Sequence, residues 1–275
     1  MSLWNSFFGQ VFAVLFLPFR ALGPWWGMGF ISLLTGLLML LIYRLTSNQQ
    51  GIRKVKDKIK AHLLELRLFQ HNLSVTLRAQ GQILHANFRY LGLNLKPLVV
   101  MILPLILILA QLNLWFGCDP LAVGQAAILK VKLEPGVNPL EMDFALEAPP
   151  QVLVETPPLR VEESREVDWR IRAAAEGYFS LTVRAGSQSF EKNVAVGGRS
   201  LARISALKVK SSFVDEILYP GEKPLPGQSR IESIEVAYAA KRLNLVGLRI
   251  HWLVAYLGLS IVFGFVLKRP FKVEI

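Results

Sequence analysis

The sequence predicts an α-helical membrane protein that carries an all-β, immunoglobulin-like domain outside the membrane. Three apolar runs, at residues 26–43, 98–116 and 248–267, approach the roughly 20 residues that a helix needs to cross a bilayer. The region from 126 to 204 is instead divided into short, partly alternating segments by Pro, Gly and Asn, a pattern that is typical of β-strands and turns. Hydrophobic residues make up 52% of the 275 residues, which argues against an ordinary soluble domain.

Residues 1–22 predict an amphipathic helix that lies along the membrane surface. Its apolar side chains share one helical face: Trp4, Phe7, Phe8, Val11, Phe12 and Leu15. The opposite face carries Asn5, Ser6, Gly9 and Gln10. Since Arg20 follows the apolar part, the basic start of a signal peptide is missing. A fourth membrane segment, short or re-entrant, is the alternative interpretation.

The three apolar runs predict transmembrane helices at residues 25–45, 97–117 and 247–267. Basic residues are concentrated between the first two, because residues 44–96 contain ten Lys or Arg and two acids. By contrast, residues 118–245 contain sixteen basic and seventeen acidic residues. The tail at residues 268–275 is also basic, with Lys268, Arg269 and Lys272. The positive-inside tendency therefore predicts a cytoplasmic loop and C-terminus, and an N-terminus on the outer side.

Residues 46–95 predict a basic cytoplasmic hairpin of two helices, called the basic hairpin below. Apolar residues recur there at steps of three and four: Ile52, Val55, Ile59, Leu63, Leu66, Phe69, Leu73 and Leu77. The pattern breaks at Gly81 and restarts at residues 82–91, so we expect two apolar faces that cover each other. The candidate contacts for client proteins or anionic lipid headgroups are Arg53, Lys54, Lys56, Lys58 and Lys60.

Residues 118–210 predict the immunoglobulin-like β-sandwich, with Trp169 as a core aromatic. Seven strands are expected, at 126–133, 142–147, 152–155, 166–172, 178–184, 189–196 and 201–204. A Pro- and Gly-rich connector at residues 211–246 follows, with one further strand at 231–238. The single Cys118 excludes an internal disulfide, which favours a bacterial source.

No pattern in the sequence indicates an active site. The four histidines lack the spacing of metal ligands, and neither a Gly-rich phosphate loop nor a nucleophile elbow is present. We therefore expect no catalytic residue, no metal and no cofactor, and the protein is not expected to be an enzyme. The basic residues are accompanied by no nucleic-acid motif, so nucleic acid is not an expected partner beyond proximity to a ribosome.

A few polar side chains interrupt the apolar runs and are candidate groove residues. They are Ser32, Thr35, Gln111, Asn113 and Ser260. Small hydroxyl and amide groups of this kind commonly pack membrane helices against each other. The alternative hypothesis is that they line a groove into which polar parts of a client segment descend.

The order of motifs in residues 3–117 resembles the YidC family of membrane-protein insertases, with its mitochondrial, thylakoid and endoplasmic-reticulum relatives. An amphipathic helix is followed by Trp26-Gly27, an apolar span, Leu45-Thr46 with Asn48-Gln49-Gln50, and a basic helix. The entry into the next span resembles the family at Asn94, Pro97, Leu98 and Pro104. The resemblance implies an insertase or chaperone of membrane-protein biogenesis in the bacterial inner membrane, acting without nucleotide.

Two features depart from the family pattern. Bacterial members typically carry an Arg in the middle of the first core span, whereas residues 37–40 are Leu-Leu-Met-Leu and Arg44 lies at the cytoplasmic edge. A β-sandwich between the second and third spans is also not the usual arrangement. The alternative is therefore a non-catalytic membrane scaffold or accessory subunit whose β-sandwich binds an extracytoplasmic partner. A transporter is a third hypothesis, but three spans are too few for a pore without oligomerisation.

Overall fold

The computed structural model describes residues 3–69, 71–198, 201–245, 247–271 and 273–274. The helices in these ranges are α1 (Leu3–Phe16), α2 (Phe19–Leu22), α3 (Pro24–Thr46), α4 (Gln49–Leu68), α5 (Leu73–Phe116), α6 (Phe213–Leu218) and α7 (Trp252–Leu267). The strands are β1 (Ala126–Leu133), β2 (Phe144–Glu147), β3 (Val152–Val154), β4 (Leu159–Val161), β5 (Glu166–Ala173), β6 (Gly177–Ala185), β7 (Gln188–Val196), β8 (Leu207–Val209), β9 (Ile231–Val236), β10 (Arg242–Leu245) and β11 (Leu248–His251).

The chain divides into two compact units, which are described separately. The first comprises Met1–Gly27 and Ile106–Val254 and contains the strands. The second comprises Met28–Leu105 and Ala255–Ile275 and contains most of α3, α5 and α7 together with α4. The predicted combination of apolar helices with a β-rich domain is thereby confirmed.

Of the antiparallel sheets in the first unit, the two larger ones share one core, and β10 and β11 form a separate two-stranded sheet. The larger sheet has the order β3-β5-β1-β9-β8, with β4 also paired to β5, and the smaller has the order β2-β6-β7. Strand β5 shows how the sequence produces this packing, because Val167, Trp169 and Ile171 are buried while the residues between them are not. Leu181 and Val183 of β6 belong to the same buried cluster, so the arrangement is sandwich-like and Trp169 lies in the core as predicted.

The strand predicted at residues 201–204 is wrong. Leu201, Ala202 and Ile204 are buried, but Ile204 N donates to Leu114 O at 2.7 Å, so this backbone is bonded to a helix end and not to a sheet. The extended segment begins only at Leu207, as β8, and the short strand β4 was not predicted. The predicted connector at 211–246 contributes β9, which lies between β1 and β8 in the larger sheet.

Helix α1 buries a stripe that combines Asn5 and Gly9 of its predicted polar face with Phe12 of its predicted apolar face, so the predicted division into two faces holds only in part. Asn5 is buried and its Nδ2 donates to the Glu216 carbonyl at 2.6 Å, and Gly9 is buried as well. The ring of Phe16 lies 5.1 Å from that of Trp115. Phe7 remains 60% exposed, while the side chains of Trp4 and Ser6 lie outside the described residues.

Two described helices, α3 with 23 residues and α5 with 44, are long and apolar enough to cross a membrane, by length and composition. They coincide with the first two predicted spans. The third predicted span is shorter than expected, because residues 248–251 form β11 and pair with β10. Helix α7 therefore begins at Trp252, and its 16 residues cover about 24 Å.

In the basic hairpin α4 ends at Leu68 and α5 begins at Leu73, so the break predicted at Gly81 is wrong. Phe69 N donates to Glu65 O at 2.9 Å at the end of α4, and the Asn72 side chain accepts from Val75 N at 3.3 Å at the start of α5. Gly81 lies within α5 and is exposed. A helical glycine costs only about 1 kcal/mol, which a helix of this length tolerates.

The two apolar faces of the basic hairpin cover each other only in part. Ile52 and Val55 are buried, with relative exposures of 0% and 3%. Further along, Leu63, Leu73 and Leu77 are each more than half exposed. The apolar face of α4 is therefore fully buried only at the end that follows α3.

Candidate functional site

The second unit contains an apolar cavity of about 460 Å³, called the groove below. Three helices line it: α3 with Thr35, Gly36, Met39, Leu40 and Tyr43; α5 with Asn94, Leu98, Met101, Ile102 and Leu105; and α7 with Tyr256, Leu257, Ser260, Ile261, Gly264 and Phe265. None of these side chains carries a charge. Its volume lies within the range of roughly 300–1,000 Å³ that is usual for ligand pockets.

Hydroxyl groups join α3 to α7 at the groove wall. Tyr256 OH donates to Thr35 Oγ1 at 3.1 Å, and Ser32 Oγ donates to the Tyr256 carbonyl at 3.4 Å. Ser32 and Thr35 are buried, with 0% and 2% exposure. Because a buried hydroxyl without a partner is costly, these bonds favour one arrangement of the two helices.

Gly36 allows the backbones of α3 and α7 to approach closely. A Cβ atom at this position would lie 3.1 Å from Ser260 O, 3.3 Å from Gly264 N and 3.3 Å from the Phe263 Cβ. Small residues at such crossings are a common feature of packed apolar helices. The wall of the groove therefore depends on the missing side chain of Gly36.

Tyr43 and Asn94 join α3 to α5 at another part of the groove. Tyr43 OH donates to Asn94 Oδ1, and Asn94 Nδ2 donates to the Tyr90 carbonyl at 2.7 Å. Sequence reasoning did not select Tyr43 or Tyr256 as groove residues. A tyrosine within an aliphatic run was the available signal, because its hydroxyl needs a hydrogen-bond partner when buried.

The structure brings together three of the five candidate groove residues. Thr35 and Ser260 line the groove, and Ser32 is hydrogen-bonded to the same tyrosine as Thr35. Gln111 and Asn113 belong to the first unit and do not line the groove. Gln111 is buried and its Oε1 has no partner among the described residues, whereas Asn113 is exposed.

The candidate contacts of the basic hairpin lie along α4. Arg53, Lys54, Lys58 and Lys60 are exposed, and Lys56 is half-buried with its Nζ 3.7 Å from Glu274 Oε2. Lys60 lies 3.8 Å from Asp57. Surface ion pairs of this kind contribute at most about 1 kcal/mol, so these cations remain available to a partner.

The first unit contains a buried ion pair beside a second cavity of about 830 Å³. Lys192 Nζ donates to Glu222 Oε1 at 2.7 Å and to the Ser205 carbonyl at 2.6 Å. Burial lowers the pKa of Lys192, and the attraction of Glu222 opposes this shift. Glu222 and the neighbouring Arg203 both line the cavity.

The comparisons with known proteins supply no family. No protein-family model and no curated protein matches the chain. Three solved structures of the S-layer protein SbsC are similar to parts of it. Domains 4 and 5 are 20% identical over 30% of this chain and 48% of that chain, with a TM-score of 0.23. The fragment 31–844 is 19% identical over 34% of this chain and 13% of that chain, with a TM-score of 0.23. Domains 5–6 are 17% identical over 36% of this chain and 50% of that chain, with a TM-score of 0.24. The chain spans half or less of each, and similarities this low support no statement about function.

The hydroxyl contact between α3 and α7 is testable by a double-mutant cycle. We expect the coupling between Tyr256→Phe and Thr35→Val to be about 0.6 kcal/mol, and no more than about 1.7 kcal/mol, the range known for hydrogen bonds between packed apolar helices. Thermal unfolding of the full chain in detergent measures it. Tyr43→Phe combined with Thr35→Val is the control and should be additive, since Tyr43 bonds to Asn94. Coupling of equal size in both pairs would contradict a direct hydrogen bond between Tyr256 and Thr35 as its source.

Proposed function

We propose that this protein is a YidC-like insertase or chaperone of membrane-protein biogenesis that acts without nucleotide. The observation that carries the proposal is the groove, an apolar cavity between three helices with a few hydroxyl and amide groups on its wall. It accords with the resemblance of residues 3–117 to the YidC family. Such an insertase needs no cofactor, because insertion requires only the exchange of hydrogen bonds and apolar contacts.

The groove groups would lower the cost of bringing a polar client segment into the membrane. An unsatisfied polar group in hydrocarbon costs several kcal/mol, and Thr35, Ser260 and Asn94 offer it hydrogen-bond partners. The apolar remainder of the wall suits the client's transmembrane segment. Helix α7, at about 24 Å, is shorter than the roughly 30 Å hydrocarbon core, which favours local thinning of the bilayer.

In this proposal the chain crosses the bacterial inner membrane three times, with the N-terminus outside and the C-terminus in the cytoplasm. Its partners are the lipid bilayer and client membrane proteins, which the basic hairpin receives near a ribosome. Phe7, Val11 and Val14 of α1 are exposed, which favours their contact with the outer leaflet. The immunoglobulin-like sandwich lies outside the cytoplasm.

Reconstitution into liposomes tests the proposal. Vesicles with the protein should insert a client that has a short polar translocated tail, and vesicles without it should insert much less. The variant Thr35→Val with Ser260→Ala should reduce this insertion severalfold, while a client with an apolar tail should be little affected. Thr46→Val with Ser74→Ala is the matched control, since neither residue lines the groove. Equal insertion into empty vesicles would rule out the insertase.

The second candidate is a non-catalytic scaffold or accessory subunit. It is favoured by the uncharged groove wall and by the 830 Å³ cavity of the β-rich part, whose rim includes the exposed Tyr178. Crosslinking distinguishes the two functions. A crosslinker at Tyr178 should capture one stoichiometric partner if the protein is a scaffold. A crosslinker at Lys54 should capture many newly made membrane proteins if it is an insertase.

A further inference from the structure

A cleft of about 620 Å³ lies between α4 and α5 in the basic hairpin. Small residues leave it open, with Ala61 on α4 and Gly81 and Ala86 on α5. No atom lies within 4 Å of the position that a Cβ of Gly81 would occupy. This cleft is distinct from the groove, with which it shares no lining residue.

Three cationic side chains from two helices line the cleft: Lys58 of α4, and Arg78 and Arg89 of α5. Among the described residues none of the three has an ion-pair partner. Of the acids of α4, Asp57 is paired with Lys60 at 3.8 Å, and Glu65 is paired at 3.0 Å with His62, which itself lines the cleft. Because like charges around one cleft repel each other, an anion between them would be favoured electrostatically.

We propose that this cleft binds a phosphate-bearing anion. Arginine presents a planar fork of N–H donors that matches phosphate oxygens in pairs, and two arginines line the cleft. Gln82 adds an uncharged donor, and the open position at Gly81 lets a ligand approach the helix backbone. The volume exceeds that of a single phosphate, so the site suits a diphosphate or a phosphate ester.

The distance from the apolar part of α5 favours a soluble ligand over a lipid headgroup. At 1.5 Å per residue, Arg89 lies about 12 Å and Arg78 about 28 Å before Pro97, where the predicted second span begins. The headgroup layer on each side of the hydrocarbon core is only about 5–8 Å thick. The preference for a soluble ligand rests on the proposed membrane placement, whereas the phosphate chemistry of the cleft does not.

Calorimetric titration of the full chain in neutral detergent with inorganic pyrophosphate tests the site. We expect saturable binding that Arg78→Gln with Arg89→Gln weakens by at least about tenfold, since each loses a charge-assisted hydrogen bond. Arg67→Gln with Lys96→Gln removes the same charge, one residue from each helix, at positions outside the cleft. It should change the affinity less than about twofold. Equal weakening in both variants would overturn the proposal, and so would a wild type that binds neither pyrophosphate nor the phosphatidic acid of the nanodiscs described below.

Gly81→Leu tests the cleft without removing any charge. The new side chain has room to enter the cleft and should weaken pyrophosphate binding by at least about tenfold, while helix stability is kept or raised. Unchanged binding by this variant would also overturn the proposal. Nanodiscs containing phosphatidic acid test a lipid as the source of the phosphate. If Arg78 and Arg89 are protected from chemical modification in these nanodiscs and the protein does not bind pyrophosphate, the ligand is a lipid headgroup. The insertion assay is independent, so failure of either proposal is recognised separately.

Discussion

Replacing Glu222 with Gln should destabilise the β-rich part of the first unit by about 3–5 kcal/mol. The Lys192 side chain is fully buried, and Glu222 is its charged partner at 2.7 Å. Glutamine keeps the shape but removes the negative charge, so a buried ammonium is left uncompensated. Urea denaturation of the full chain in mild detergent, read out by protease cleavage of unfolded molecules, measures the loss.

An exposed pair in the larger sheet is the control for this variant. Lys132 and Glu232 lie 3.0 Å apart with side chains 39% and 43% exposed, so Glu232→Gln should cost less than about 1 kcal/mol. If both substitutions cost the same, burial does not decide the strength of the Lys192–Glu222 pair.

The Glu222→Gln variant should regain stability as the pH rises. Burial already lowers the pKa of Lys192 from its ordinary value of 10.5, and Glu222 works against this shift, so removing Glu222 should lower the pKa further. Between that lowered pKa and 10.5 the unfolded chain binds more protons than the folded one, and the free energy of unfolding therefore increases with pH. The deficit relative to wild type should be smaller at alkaline than at neutral pH, and a constant deficit would contradict this account.

Gly36→Leu should separate α3 from α7 and disrupt the groove. Even a single Cβ at this position would lie 3.1 Å from the Ser260 carbonyl, and a whole leucine side chain must displace backbone. Overpacking of this kind costs about 1–3 kcal/mol. Because Thr35 bonds to Tyr256 beside this crossing, we expect both a lower unfolding temperature in detergent and loss of most insertion activity in liposomes.

Gly29→Leu on the same helix is the matched control for Gly36→Leu. No atom lies within 4 Å of the position of a Gly29 Cβ, so the substitution should leave the unfolding temperature and insertion nearly unchanged. A similar loss in both variants would mean that leucine at any glycine of α3 is harmful, and the close approach at Gly36 would not be the cause.

The groove was predictable from the sequence only in part. Thr35 and Ser260 stand out as hydroxyls within apolar runs, and both line the cavity. Gln111 has the same appearance in the sequence but belongs to the other unit. Polarity within an apolar run is a local property, whereas lining a groove depends on which helices meet. The bond between Tyr43 and Asn94, which are 51 residues apart, has no local signal for the same reason.

The sequence by itself determined which segments are apolar and the type of most helices and strands, since hydrophobic periodicity is a property of neighbouring residues. It missed β4 and assigned residues 248–251, which form β11, to a helix. It did not determine which face of a helix is buried or the residues at which the helices break. Asn5 and Gly9 of α1 lie against protein while Phe7 is exposed, and α5 continues through Gly81. Only the tertiary structure decided these points, because the partners that bury a face or continue a helix come from distant parts of the chain. Packing and hydrogen bonding between those parts outweigh local preferences of about 1 kcal/mol.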